Sequence, residues 1–166
     1  SDRLLECPPS VVAGTPLRDL VPREDILIEI DNKSLTHRPD LWGHFGIARE
    51  LAAIFDRPLR AALGADLEVF AELPPFPVDV QAREDAPCYS AMEIAVDANV
   101  PSPLVVQRRL TALGSASANA IVDVTNYVQF EIGQPTHAFD RRKVDRIRIA
   151  HAGTRTSFTT LDGRHW

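Results

Sequence analysis

A chain of 166 residues with 45% hydrophobic content is enough for one modest domain or two small ones, and it is not the composition of a disordered segment. Its formal charge of -5 lacks the overall basic footprint of nucleic-acid-binding domains, although a local basic patch can sit on an acidic protein. Cys7 and Cys88 stand alone, so neither a zinc knuckle nor a disulfide framework is expected. A soluble protein in a reducing, cytoplasmic setting, with no membrane partner, is the expectation: no apolar run is long enough for a spanning helix, and "SDRLLECPPS" lacks a signal-peptide pattern.

In chain order, "DILIEID" from Asp25 to Asp31 reads as a short strand, and the polar turn "NKSLTHRP" follows it. A helix is expected next, with Asp40 as N-cap, Leu41, Phe45, Ala48, Leu51, Ala52 and Phe55 at three- and four-residue spacing, and Pro58 closing it. Gly43 and Gly46 count against helix propensity there. From Arg60 to Pro77 the chain turns Ala- and Pro-rich, ending in "ELPPFP". This marks a linker and a division near Glu72 into two small mixed α/β parts, residues 1–71 and 72–166, of an α+β protein.

In the second part "PVDVQA" and "CYSAMEIAV" read as strands, with Met92, Ile94 and Val96 alternating in the latter. Ser102 as N-cap, Pro103 at the first helical position, Val106, Leu110 and Leu113 on one face and Gly114 past the end predict a helix. The stretch from Ile121 to Ile132 fits a strand or a helix by periodicity alone. Its length, a cap at Asn119, and the stop formed by Gly133 and Pro135 select the helix. "RIRIA" and "TSFTTLDGRHW" read as strands, and Asp162-Gly163 is a hairpin-turn signal. Because only three residues follow Gly163, the return strand is expected to be missing and the chain to be a piece of something longer.

The histidines His37, His44, His137, His151 and His165 never fall three or four apart, so no helical metal pair is indicated and no metal ligand is assigned. Neither a GxxxxGK[ST] phosphate loop, nor a GxGxxG turn after a strand, nor a GxSxG nucleophile elbow occurs. What remains is Asn126 and His137 on either side of one turn, with Asp123 and Asp140 nearby in sequence. Composition alone favours a surface amide and a satisfied core imidazole. "QRR" from Gln107 to Arg109 and "DRRKVDR" from Asp140 to Arg146 read as solvated charged faces rather than phosphate contacts. The spacing of Trp42 and Phe45 favours core packing over a base-stacking platform.

Two long motifs, "DNKSLTHRPDLWGHFGIARELAAIF" and "ANAIVDVTNYVQFEIGQPTHAFD", followed by "TTLDG", resemble in order and spacing the β-subunit of bacterial-type phenylalanyl-tRNA synthetase. The resemblance implies an α2β2 heterotetramer whose α-subunit uses ATP and Mg2+ to make the Phe-tRNA(Phe) ester, with no cofactor in this segment. It also implies that the β-subunit carries a domain that hydrolyses Tyr-tRNA(Phe). Residues 1–71 would then be the end of a core-packing domain plus linker, and 72–166 the first part of the editing domain. By the same resemblance His137 is a catalytic candidate and Asn126 a substrate-binding one. Further pocket elements, a glycine-rich turn, a glutamate and a threonine/alanine pair, would lie after Trp166. Ala116 and Ala120 stand where the family often has arginine and asparagine. The alternative is a noncatalytic structural and tRNA-binding module of the same synthetase, in which His137 only supports the fold. Whether the His137 ring opens into a cavity shared with Asn126 or is sealed among aliphatic side chains separates the two.

Overall fold

A computed structural model describes residues 7–22, 24–60, 67–97, 100–154, 157–160 and 162–166. Part of the expected linker, and Thr156 and Leu161 of the last expected strands, lie outside the described residues. The helices are α1 (Leu17–Leu20), α2 (His44–Ile54), α3 (Leu104–Ala112) and α4 (Ala120–Ile132). A parallel pair of strands, β1 (Val78–Val80) and β2 (Ile147–Ile149), completes an α+β architecture. Two compact units are formed, one from Ser1–Gly64 and Val96–Ala138, the other from Ala65–Ala95 and Phe139–Trp166.

In the first unit α4 forms where its punctuation requires. The Asn119 side chain accepts the Val122 N–H at 3.0 Å, satisfying one of the first-turn donors that a helix leaves open. At the other end Gly133 takes φ +75, a left-handed stop that a β-branched residue would resist. α3 ends in a Schellman arrangement: Gly114 at φ +77 donates to the Thr111 carbonyl, and Ser115 donates to that of Leu110. Its start differs from expectation by one position, because Pro103 is the N-cap and the Ser102 hydroxyl is spent elsewhere. Leu104 and Leu110 are buried where α3 packs on α4.

The start of α2 is a correction. Asp40 does not cap it; Pro39–Trp42 is a separate 3-10 turn, and Gly43 is the N-cap of a helix beginning at His44. Asp40 instead accepts a two-pronged bond from Arg38, at 2.9 and 2.8 Å, and one from Arg49 at 2.7 Å, while Arg38 also reaches Glu50 at 3.1 Å. These guanidinium groups hold the Asp40 carboxyl well below the usual carboxylate range.

Close approach, rather than propensity, explains the glycines that spoke against this helix. A Cβ on Gly43 would stand 2.4 Å from the Gly133 backbone nitrogen, and one on Gly46 would stand 1.6 Å from the Asp40 carbonyl oxygen. Nearby, His44 Nδ1 lies 2.8 Å from the Phe130 carbonyl, so it carries the proton and caps an open acceptor at the C-terminal end of α4. Gly46→Ala is therefore expected to destabilise the protein by about 2 kcal/mol or more, since overpacking against backbone outweighs the roughly 1 kcal/mol that alanine would gain in helix propensity. Chemical denaturation checks the sign: a rise in midpoint would refute the close packing.

In the second unit β1 and β2 pair in register Val78↔Ile147, Asp79↔Arg148 and Val80↔Ile149, and the Gln81 N–H extends the ladder to Ile149 at 2.8 Å. Two other expected strands are not formed. Residues 25–31 and 88–96 carry no strand pairing among the described residues, and their apolar side chains are largely exposed, Ile26 at 85% and Ile94 at 64%. The alternation is present in the sequence, but a strand exists only where a neighbour accepts its backbone groups. The return arm of the last hairpin is also a correction, because it is present. Phe158 and Trp166 exchange two N–H to carbonyl bonds of 2.9 Å, Thr159 bridges His165, and Gly163 turns the chain at φ +80.

Candidate functional site

α4 carries Asn126 in its middle, half-buried, and His137 follows four residues beyond the Gly133 stop, exposed. The turn at Gly133 sends the chain back along the helix it has just left. The Thr136 hydroxyl reaches the Thr125 carbonyl at 3.5 Å, so the residue before His137 is held against the residue before Asn126. The segments bearing the imidazole and the amide are thus brought together. His137 is not sealed among aliphatic side chains. A surface recess nearby is lined by Thr36, Pro39, Trp42, Gln129, Phe130 and Gly133, and neither Asn126 nor His137 lines it. Asp140 belongs to the other compact unit, where its carboxylate holds Arg142 at 2.8 Å. That guanidinium and the Arg142 N–H bring the Asp140 pKa down to about 2.

The most buried residue of α4 is a carboxylate. Asp123 is fully buried. It accepts the hydroxyls of Ser102 and Ser117 on one oxygen and the Ala118 N–H, at 2.8 Å, on the other. Burial pushes its pKa up, but the two hydroxyls and the Ala118 and Asn119 amides favour the anion more strongly, so the net shift is downward. A search for aliphatic periodicity passes over this residue. The available signal was the serine-rich "SASAN" just before a helix whose first turn holds an acid, where the helix dipole also favours negative charge.

The first basic stretch departs from the solvated face expected of it, because Gln107 and most of the Arg108 side chain are covered, while Arg141 and Arg142 are exposed. Arg108 pairs with Asp25, Arg109 bonds the Tyr127 hydroxyl and lies 5.8 Å from its ring centre, and Gln107 is buried with its amide on the Ser102 carbonyl. In the second unit Arg141 pairs with Glu93 at 2.9 Å beside the Phe76 ring. Trp42 departs from the core packing expected of it: the residue is 67% exposed, while Phe45 is half-buried. Among the described residues no group of three or more His, Cys, Asp or Glu could hold a metal ion, and no helix is long and apolar enough to cross a membrane.

Residues 87–166 match the B3/4 domain family, which gives the class of the C-terminal half. Along nearly its whole length the chain is also similar to curated phenylalanine–tRNA ligase beta subunits. It is 43% identical over 161 residues to that of Solibacter usitatus, an alignment covering 94% of this chain and 21% of the relative. It is 40% identical over 159 residues to that of Leptospira borgpetersenii, with 90% and 19% covered. Against that of Anaeromyxobacter dehalogenans it is 37% identical over 166 residues, with 97% and 20% covered. The chain belongs to the phenylalanine–tRNA ligase beta subunit family and spans about a fifth of the length of these relatives.

Proposed function

We propose that this chain is the part of a phenylalanine–tRNA ligase β-subunit that contributes Asn126 and His137 to a hydrolytic site acting on Tyr-tRNA(Phe). In this reading residues 1–71 are the end of a core-packing domain with its linker, and 72–166 are the first part of the editing domain. The partners are the α-subunit of an α2β2 assembly and tRNA(Phe). ATP and Mg2+ serve the ester-forming site of the complete cytoplasmic enzyme. The observation that carries the reading is the fold-back after Gly133, which sets the exposed His137 segment beside the turn of α4 that bears Asn126.

The chemistry has a clear purpose. A hydrophobic amino-acid pocket rejects an analogue that merely adds a hydroxyl by only about a hundredfold, so a second site must remove the product that escapes. There the imidazole takes a proton from the water that attacks the ester carbonyl and returns it to the departing ribose oxygen, while the amide holds the substrate or the developing oxyanion. The noncatalytic tRNA-binding alternative draws little support from the basic stretches, where Arg108, Arg109, Arg141 and Arg142 all have intramolecular partners.

The test is direct. The full-length β-subunit assembled with its α-subunit is expected to deacylate Tyr-tRNA(Phe) far faster than Phe-tRNA(Phe). Loss of both esters at the spontaneous rate would remove the hydrolytic reading and leave the structural one.

A further inference from the structure

We propose that Asp123 is a positioning residue of this hydrolytic site, whose buried carboxylate locks α4, and with it Asn126, against α3 and the 115–119 loop. The inference rests on the reading of Asn126 and His137 given above.

Two segments meet α4 at this one side chain: Ser102, just before α3 and distant in sequence, and Ser117 with Ala118, in the loop leading directly into α4. Two hydroxyls and one amide converge on two oxygens in a place closed to solvent. A carboxylate so placed is confined both in position and in rotation about the helix axis, because the donors approach from two segments, the residue before α3 and the 115–119 loop. Asn126 lies three residues on, one turn along and on the adjoining side of the helix, so any roll or slide of α4 at Asp123 is passed to it almost undiminished.

The far end of the helix is fixed independently, by the approach of Gly43 to Gly133 and by His44 on the Phe130 carbonyl. α4 is therefore held at both ends, and its middle carries the candidate substrate contact. The carbonyl of Thr125, which lies between Asp123 and Asn126, also accepts the Thr136 hydroxyl, so a displaced helix shifts the His137 segment too. Misplacement of a reacting group by about 1 Å is enough to cost on the order of a hundredfold in rate.

The experiment uses the full-length β-subunit in complex with its α-subunit and compares Asp123→Asn, Ser117→Ala, His137→Ala and Ile149→Ala. Deacylation of Tyr-tRNA(Phe) is measured as kcat and KM below the unfolding transition of each. Asp123→Asn preserves shape but replaces an acceptor by a donor facing other donors. It is expected to lower kcat by about ten- to a hundredfold with KM changed less than about threefold. Ser117→Ala should lower kcat in the same direction by a smaller factor. Ile149→Ala, which weakens the β1–β2 pair in the other unit, serves as the control for destabilisation and should keep its kcat. If Asp123→Asn does not fold, Ser117→Ala decides: a wild-type kcat overturns the inference. A wild-type kcat in folded Asp123→Asn overturns it as well, and so does an equal fall in Ile149→Ala, which would mark the effect as general instability. Unchanged deacylation by His137→Ala removes the catalytic role of that residue alone, whereas deacylation by the wild-type complex at the spontaneous rate removes the hydrolytic reading itself and the inference with it. A slow His137→Ala beside a fast Asp123→Asn removes the inference alone.

Discussion

Replacing His137 by alanine in the full-length β-subunit, assembled with its α-subunit, is expected to slow Tyr-tRNA(Phe) deacylation by about ten- to a thousandfold, the range for losing a positioned acid-base or water-orienting group. The effect should fall mainly on kcat, because the imidazole acts on the attacking water rather than on the bulk of the substrate. His137 is exposed on a segment that the Gly133 turn brings back to α4, a place where an imidazole contributes little to a core. Asn126→Ala should act in the same direction but more weakly, by about fivefold, since a neutral amide contact contributes about 1 kcal/mol. Single-turnover deacylation measured on both variants checks the order. Rapid hydrolysis by His137→Ala would assign the imidazole to the fold and favour the noncatalytic reading of that residue.

Elements specified by local chemistry were legible in the sequence, and those that depend on distant partners were not. α4 could be placed because Asn119 and Gly133 act within one turn of the residues they cap. β1 and β2 could be recognised as extended segments, but nothing in either states that Val78 faces Ile147 in a parallel ladder. The expected strands at 25–31 and 88–96 have the right alternation and no described neighbour to pair with, which shows how little period-two patterning says about pairing. At α2 the glycines misled a reading based on propensity, because their use is to admit the Asp40 carbonyl and the Gly133 backbone. In the candidate site, Asn126 and His137 were found through motif resemblance and the Gly-Gln-Pro break. Asp123 was noted only as a neighbour in sequence, since its importance rests on Ser102, which lies before a different helix.

The same carboxylate should dominate the stability of the first unit. Asp123→Ala leaves the Ser102 and Ser117 hydroxyls and the Ala118 N–H facing a small void with no acceptor. At about 1 kcal/mol for each donor left unsatisfied, the loss is on the order of 3 kcal/mol. That corresponds to roughly a hundredfold faster amide exchange through α4 if the helix opens as a local unit. Exchange measured on peptides covering residues 120–132 reads this without requiring the whole subunit to unfold in one step. The pH dependence has a definite sign. The folded pKa of Asp123 lies below the value of about 3.9 found in an unfolded chain, so its contribution is fully present above that value and disappears as the pH falls through the folded pKa. Wild-type protection of α4, corrected for intrinsic exchange, should therefore fall faster below about pH 4 than that of Asp123→Asn, whose side chain does not titrate. Parallel losses in the two proteins would show that other carboxylates control the acid transition, and unchanged exchange in Asp123→Ala would show that the three donors find acceptors without it.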